Sequence, residues 1–556
     1  MTQFKTPGVY VQEVSTFPPS VAEVSTAVPA FIGYTERVQN EGEDLIGQPV
    51  RITSFLEYQT IFGGAQKSTY SLAVTDANDP AGSLVNSGTG TTASRTLYHQ
   101  LDMYFKNGGG ACYIVSTGDY NAALSATSFT DALTSLKSED EPTLYVFADA
   151  LLLEADYYSV AGAALKDCAE LGDRFSILDV PHGTSATDFR TALSVPSDQL
   201  KYGAAYTPNL VTLLSHAFDA SAVAISGLTE GALPQSGTFT TSTDGITITY
   251  NGPEADGAKI SITTTSDATS FSLDGNHLSI LVNGGEVGAS TVLSKWETWG
   301  PTNGGDSFAM AQAGGGSDKV TAGVVGASFV YEVAADAGTA LSQVKTDNTA
   351  VYNAAVKMLG KQRVTLSPSA LMAGVYAATD RTRGVWKAPA NVALTSVLAP
   401  VTKITNAEQE NLNVDATSGK SINAIRSFTG QGTVVWGART LLGNDNEWRY
   451  ISVRRLFNTV EESTQKATSF AVFEPNDATT WLKVKGMIES YLFGLYEQGA
   501  FAGSTPEAAY YVNVGLGTTM TAQDILEGRM VVEIGLAAVR PAEFIVLKFS
   551  HKLQEA

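Results

Sequence analysis

The residue types that could do chemistry are few in this chain, and their spacing does not assemble a reaction centre. The stretch ATSGKS (416–421) ends like a phosphate-cradling loop, in which a lysine follows a glycine-rich turn. Such a loop needs a glycine five positions before Gly419, but Val414 stands there and no buried strand leads into it. GTGTTA (88–93) has the look of a dinucleotide turn, yet it follows a polar loop and lacks a βαβ context. None of the five histidines, His99, His182, His216, His277 and His551, lies at metal-ligand spacing from another histidine or cysteine. No G-x-S-x-G elbow and no H-E-x-x-H pair occurs. Cys112 follows three glycines and opens a strongly apolar run, where a buried thiol is expected. Asp149, Asp173 and Asp179 sit near the ends of apolar runs, as hydrolytic acids of an α/β enzyme would, but scattered carboxylates are ordinary in a chain with 56 acidic residues. The expectation is a chain with no catalytic residue, no cofactor and no metal.

The elements that carry these residues read as a multidomain α+β protein. A chain of 556 residues exceeds what one core holds, so several domains are expected. Hydrophobic residues make up 44% and charged residues 16%, a globular balance. The net charge of −21 argues against nucleic acid as a partner, because phosphate binding needs a basic surface. The two cysteines, Cys112 and Cys168, read as buried thiols of a protein folded in a reducing cytoplasm. No apolar run approaches membrane-spanning length and no signal-like segment opens the chain, so neither membrane insertion nor signal-directed export is expected.

Residues 95–106 have helical spacing, stopped by Asn107 and three glycines. ACYIV (111–115), TLYVFA (143–148) and FSILDV (175–180) are continuous apolar runs, with a helical pattern over 155–171 between the last two. Buried runs alternating with helices predict a parallel or mixed sheet covered on both faces. The composition changes at about residue 217. Between Asp219 and Lys345 stand 13 acidic and 4 basic residues, with alternating runs and the turn pairs Asp244-Gly245, Asp274-Gly275 and Asn283-Gly284. This segment reads as an inserted all-β domain, which either sits on the outer surface of an assembly or merely enlarges the body. The plan is an N-terminal arm (1–20), an α/β sandwich core (21–216 plus 346–421), the insertion (217–345), a C-terminal α+β module (422–543) and a C-terminal arm (544–556). Within the C-terminal module, 450–470 predicts an amphipathic helix with Arg454, Arg455, Asn458, Glu462 and Lys466 on its solvent side. A second helix over 479–496 is predicted to be capped by Asp477.

Both ends carry a short run of strand-forming residues set off by proline. Val9, Tyr10, Val11 and Val14 lie in the run after Pro7-Gly8, and Phe544, Ile545, Val546, Leu547 and Phe549 lie in the run after Pro541. Such strands must pair with something, and a neighbouring copy's sheet edge is the natural partner. Pro18, Pro19 and Pro541 are where these arms are expected to bend.

The blocks TPGVYVQEVSTFPPSVAEVSTAVPAFIGYTE, FLEYQTIFGG, LYHQLDMYFKNGGGACYIV, LGDRFSILDVP and YGAAYTPNL follow one another in the first half. SPSALMAGVYAATDRTRGVWKAPAN, INAIRSFTGQGTVVWGARTL and WRYISVRRLFNTVEEST follow in the second. In this order they resemble contractile tail sheath proteins of phages, R-type pyocins and related injection systems. The resemblance covers most of the chain outside about 217–345. It implies a structural subunit, not an enzyme, stacked in hexameric rings around an inner tube. The terminal strands named above would be donated between copies and received by the C-terminal domain. It also implies that a C-terminal helix faces the tube, with Arg454, Arg455 and Lys466 as candidates. The implied partners are other copies, the tube protein, and baseplate and tail terminator or cap proteins. The implied setting is assembly in a bacterial cytoplasm, then a virion tail or injection particle, released or not. Two other classes stay open on the residues alone: a static surface-layer or adhesin-like lattice protein, and an α/β-fold hydrolase.

Overall fold

The apolar runs form strands flanked by helices. In a computed structural model the described residues are 21–76, 78–88, 90–228, 236–241, 245–252, 256–313, 319–330 and 338–547. The expected N-terminal strand, Pro18, Pro19, Asp244 and Phe549 lie outside them. The chain divides into two units, one of residues 1–68, 92–217 and 359–556, the other of 69–91 and 218–358.

The first unit is built on an eight-stranded sheet. In chain order its strands are β1 (Pro29–Thr35), β2 (Pro49–Ile52), β3 (Cys112–Asp119), β4 (Leu144–Phe147), β5 (Phe175–Asp179), β6 (Gly203–Thr207), β7 (Ile422–Phe428) and β8 (Gly432–Val435). Across the sheet they run β8-β7-β6-β5-β4-β1-β3-β2. The inner strands are parallel, while β8 and β2 pair antiparallel at the two edges. Strands of this kind must be covered on both faces, and alternate residues show how. Phe31, Ile114, Val146 and Ile177 face helices α1 (Leu97–Lys106) and α4 (Ser369–Arg383). Ile32, Val115, Phe147 and Leu178 face α2 (Ala126–Leu136) and α3 (Tyr157–Leu171). The sandwich expected from the sequence is present, and α3 ends at Gly172 in the left-handed conformation, φ 79°.

Two helices follow in the C-terminal part. Helix α5 spans Ile451–Thr468 and α6 spans Ala478–Glu497. Asp477 caps α6 as expected, accepting from the amides of Thr479 (2.9 Å) and Thr480 (3.1 Å). Leu456, Val460, Val484, Ile488 and Leu492 form the shared core with a two-stranded antiparallel sheet, β9 (Tyr510–Val514) and β10 (Val532–Leu536).

The second unit corrects the expectation of an all-β insertion confined to 217–345. It holds the helices Ala289–Trp299, Leu341–Asp347 and Thr349–Leu359. It also takes in the segment read as a polar loop, where Leu84–Asn86 pairs with Ser71–Val74. Strand Lys259–Thr265 runs parallel to His277–Asn283, so turn pairs alone did not give the connectivity. Ile248, Ile260, Ile280 and Trp296 form its core.

Helices α1 and α4 approach most closely at Gly374, where a Cβ would lie 2.6 Å from the Tyr104 carbonyl oxygen. Gly374→Ala is therefore expected to lower stability by about 1–3 kcal/mol, because backbone cannot step aside as a side-chain tip can. Urea denaturation of the variant against wild type measures it.

Asp179, at the end of β5, accepts from the amide (2.8 Å) and hydroxyl of Ser369 at the start of α4. Burial pushes its carboxyl from 3.8 up to about 6, against the opposing hydrogen bonds from Ser369 and Ser367. The native state therefore binds this proton more tightly than the unfolded chain, and stability falls as pH rises from about 4 to about 6. The loss is on the order of 3 kcal/mol, at 1.36 kcal/mol per pH unit. Asp179→Asn removes that slope, so the wild-type-minus-variant difference in urea stability should fall by this amount between pH 4 and pH 7.

Candidate functional site

The groups singled out for chemistry are held by hydrogen bonds that build the fold. Asp149 accepts from the amides of Tyr34 (3.0 Å) and Thr96 (2.6 Å), tying the end of β1 to the start of α1. Asp179 caps α4, and Asp173 faces Arg174 at 3.5 Å. Cys112 and Cys168 are free and buried, and burial raises both thiols. His99 packs 6.3 Å from His216, and burial lowers it to about 4, which keeps it neutral. Lys420 of the GKS stretch donates to the carbonyls of Arg190 (2.6 Å) and Leu193 (2.5 Å). Among the described residues no group of three or more His, Cys, Asp or Glu could hold a metal ion, and no helix is long and apolar enough to cross a membrane.

The concentrated polar structure lies instead around α5, where both terminal segments join the body. Arg454 and Arg455 were expected on its solvent face. Their side chains are only 2% and 3% exposed, so the basic cluster offered to a tube does not exist. The reason is that α5 packs on both sides, against the C-terminal helices and against the sandwich, and its polar face is an internal seam. Arg454 donates to Asn458 (2.6 Å) and Glu461 (2.8 Å), with its guanidinium 4.4 Å from the Trp448 ring. Arg455 pairs with Asp380 of α4, donates to the Thr26 carbonyl at 2.7 Å, and lies 4.8 Å over Tyr376. Asn458 and Glu462 are buried as well. Lys466 alone of the three reaches solvent, between Asp140 and Glu462, each at 2.7 Å.

The root of the N-terminal segment is stitched to this seam. Besides the Arg455–Thr26 bond, the Val24 amide donates to Ser463 of α5 (3.3 Å), and Thr143 accepts from the Val28 amide (3.0 Å). The root of the C-terminal segment is also held. The Ala502 amide donates to the Ala537 carbonyl, and Val539 to that of Ala500. Four residues on, Glu543 is met by Arg439, Asn413 and Tyr450. Pro541 thus lies in a strap fastened at both ends, which places the first free rotation after Glu543 rather than at the proline. Beyond it, Phe544, Ile545, Val546 and Leu547 are 71–79% exposed and form no strand within this chain. Sequence reading found these apolar residues but missed Glu543, Arg439, Asn413 and Asp380. Nothing in local pattern links residues a hundred positions apart.

Strands β9 and β10 pair Val512 with Ile534, and among the described residues no third strand joins either of their outer edges. Two strands are the smallest sheet possible, and β9–β10 is supported by α5 and α6 and by Val385, Ala500 and Phe501 packed with them.

Residues 443–552, which hold α5, α6, β9, β10 and the strap, match the phage tail sheath C-terminal domain, and residues 273–441 match the phage tail sheath protein central domain. The chain belongs to the phage tail sheath family. It is 30% identical over 128 residues to the tail sheath protein of Vibrio phage KVP40, a match spanning 23% of this chain and 19% of that protein. Solved structures are similar along their whole length. One is the PVC sheath complex of an extracellular contractile injection system in the contracted state, 26% identical, with a TM-score of 0.55, covering 100% of this chain and 99% of that one. Another comes from the six-fold symmetrised anti-feeding prophage baseplate, 27% identical, with a TM-score of 0.54, covering 99% and 100%. As a sheath family member, the chain is a structural protein of a phage tail or an extracellular contractile injection particle.

The seam gives a direct expectation. Arg455→Met leaves Asp380 buried without its counter-charge, which should cost about 3–5 kcal/mol. Hydrogen exchange at the amides of 24–28 should rise by more than elsewhere, because their anchor on α5 is lost; mass spectrometry of the exchanged protein reads both effects.

Proposed function

We infer that copies of this chain stack as hexameric rings into a contractile sheath around an inner tube, and that its shortening drives the tube through a target envelope. The observation that carries this reading is a complementary pair: an apolar segment, 544–547, exposed and in no strand, and the minimal sheet β9–β10, whose outer edges no further strand joins among the described residues. A segment of β-branched and aromatic residues gains most by joining such an edge. In the assembly, the terminal strands of two copies extend the sheet of a third. Each donated strand adds about four to six ladder hydrogen bonds at ~1 kcal/mol net, with apolar burial in addition. Links of that strength hold neighbours together while the bodies rotate from an extended to a contracted lattice. The energy is stored at assembly, and the extended state is held by tube and baseplate. The whole-length likeness to a chain of a six-fold symmetrised baseplate structure supports both the ring symmetry and the baseplate as a partner. We assign the second unit, as an insertion, to the outer surface of the sheath.

A truncation ending at Glu543 tests the reading, because it leaves the root of the segment in place and removes only the strand. Negative-stain electron microscopy of the full chain is expected to show tubes, and the truncated chain should stay folded and soluble without them. Tubes of normal order from the truncated chain would sink strand donation.

A further inference from the structure

The C-terminal segment is not merely attached; it is aimed. Glu543 is the last residue before the exposed run, and its carboxylate is enclosed by three elements. Oε1 accepts from Asn413 Nδ2 (2.7 Å) and Arg439 Nε (3.0 Å); Oε2 accepts from Arg439 Nη2 (2.7 Å) and the Tyr450 hydroxyl (3.1 Å). Arg439 is itself fixed before Glu543 arrives. Its side chain is 4% exposed, its amide donates to Asn423 (2.8 Å), and its Nη1 donates to the carbonyls of Gly443 (3.0 Å) and Asn413 (3.3 Å). A planar guanidinium held this way grips a carboxylate through two parallel bonds, which sets direction as well as position. Burial works against the charge of Glu543, but Arg439 and Asn413 outweigh it and hold the carboxyl below its usual range.

We propose that Glu543 is a positioning residue, which, seated on Arg439, Asn413 and Tyr450, fixes the direction in which the C-terminal strand leaves one copy for the next. This rests on the strand-donation reading. The upstream tie at 537–539 and the seat at Glu543 hold Arg540, Pro541 and Ala542 between two fixed points. The donated strand therefore starts from one orientation relative to the sandwich. A partner sheet lies in one direction, so a strand already pointing there spends less conformational freedom on docking. The seat belongs to the sandwich side, through β7, β8 and the residues that follow them, and not to β9–β10. The outgoing strand is thus registered to the body that must rotate.

The test uses the full chain. Spin labels on Ile545→Cys and Glu410→Cys report the distance distribution between the strand and the body; Cys112 and Cys168 are buried, so only the introduced thiols react. The expected result is a narrow distribution with Glu543 and a broad one in Glu543→Gln and Glu543→Ala, at an unchanged far-UV circular dichroism of the body. The critical concentration for tube formation should rise about tenfold in Glu543→Gln, the scale of one lost charge-assisted contact. A distribution equally broad in the parent, equally narrow in both variants, or broadened only together with a loss of the body's far-UV circular dichroism overturns the proposal. If the parent chain forms no tubes, the sheath reading fails, while the distance measurement still judges the role of Glu543.

Discussion

A guanidinium taken out of water has to be met by acceptors on all sides, and for four buried arginines of this chain some of those acceptors come from far away in sequence. Arg174 reaches the Leu136 carbonyl and the Tyr145 hydroxyl across the face of α2 and α3. Arg190 collects the carbonyls of Asn411, Leu412 and Lys420. Arg455 joins α5 to Asp380 and Thr26, and Arg439 joins the end of β8 to Glu543. Arg190 and Arg455 bind pieces of chain that precede residue 218 to pieces that follow residue 358, Arg439 binds one late piece to another, and Arg174 one early piece to another. Apolar packing builds the two faces of the sheet; these arginines decide which late segment lies against which early one.

This explains what could be read from the amino acids and what could not. TLYVFA and FSILDV became β4 and β5, the helical pattern near 155–171 became α3, and Asp477 caps α6, because each depends on neighbours in sequence. Arg454 and Arg455 were misplaced for the same reason. A helix with charges on one face looks solvated unless the reader knows that a second core covers that face. The parallel pairing of Lys259–Thr265 with His277–Asn283 and the strand at Leu84–Asn86 failed similarly, since register and partner are tertiary properties. Of the candidate site, the exposed apolar run was legible in its composition. The carboxylate that seats it was not, because one glutamate among many acidic residues carries no mark of a distant arginine.

Two of the sheets in the first unit stand in contrast. The large one is finished within the chain: helices cover both faces, and antiparallel strands end it. The small one, β9–β10, is as short as a sheet can be, and the chain exposes strand-forming residues that it does not use there. Folding and assembly are thereby separated. The sandwich is complete within one chain, whereas the small sheet, on the proposed reading, is completed by strands of other copies.

The two thiols have a final consequence. Cys112 packs on the α1–α4 side of the large sheet and Cys168 on the α2–α3 side. No bridge between them can form without tearing the layers apart, and neither is offered to a second molecule. The fold is therefore indifferent to the redox poise of its surroundings. It needs no oxidant to mature, and air neither locks nor cross-links it.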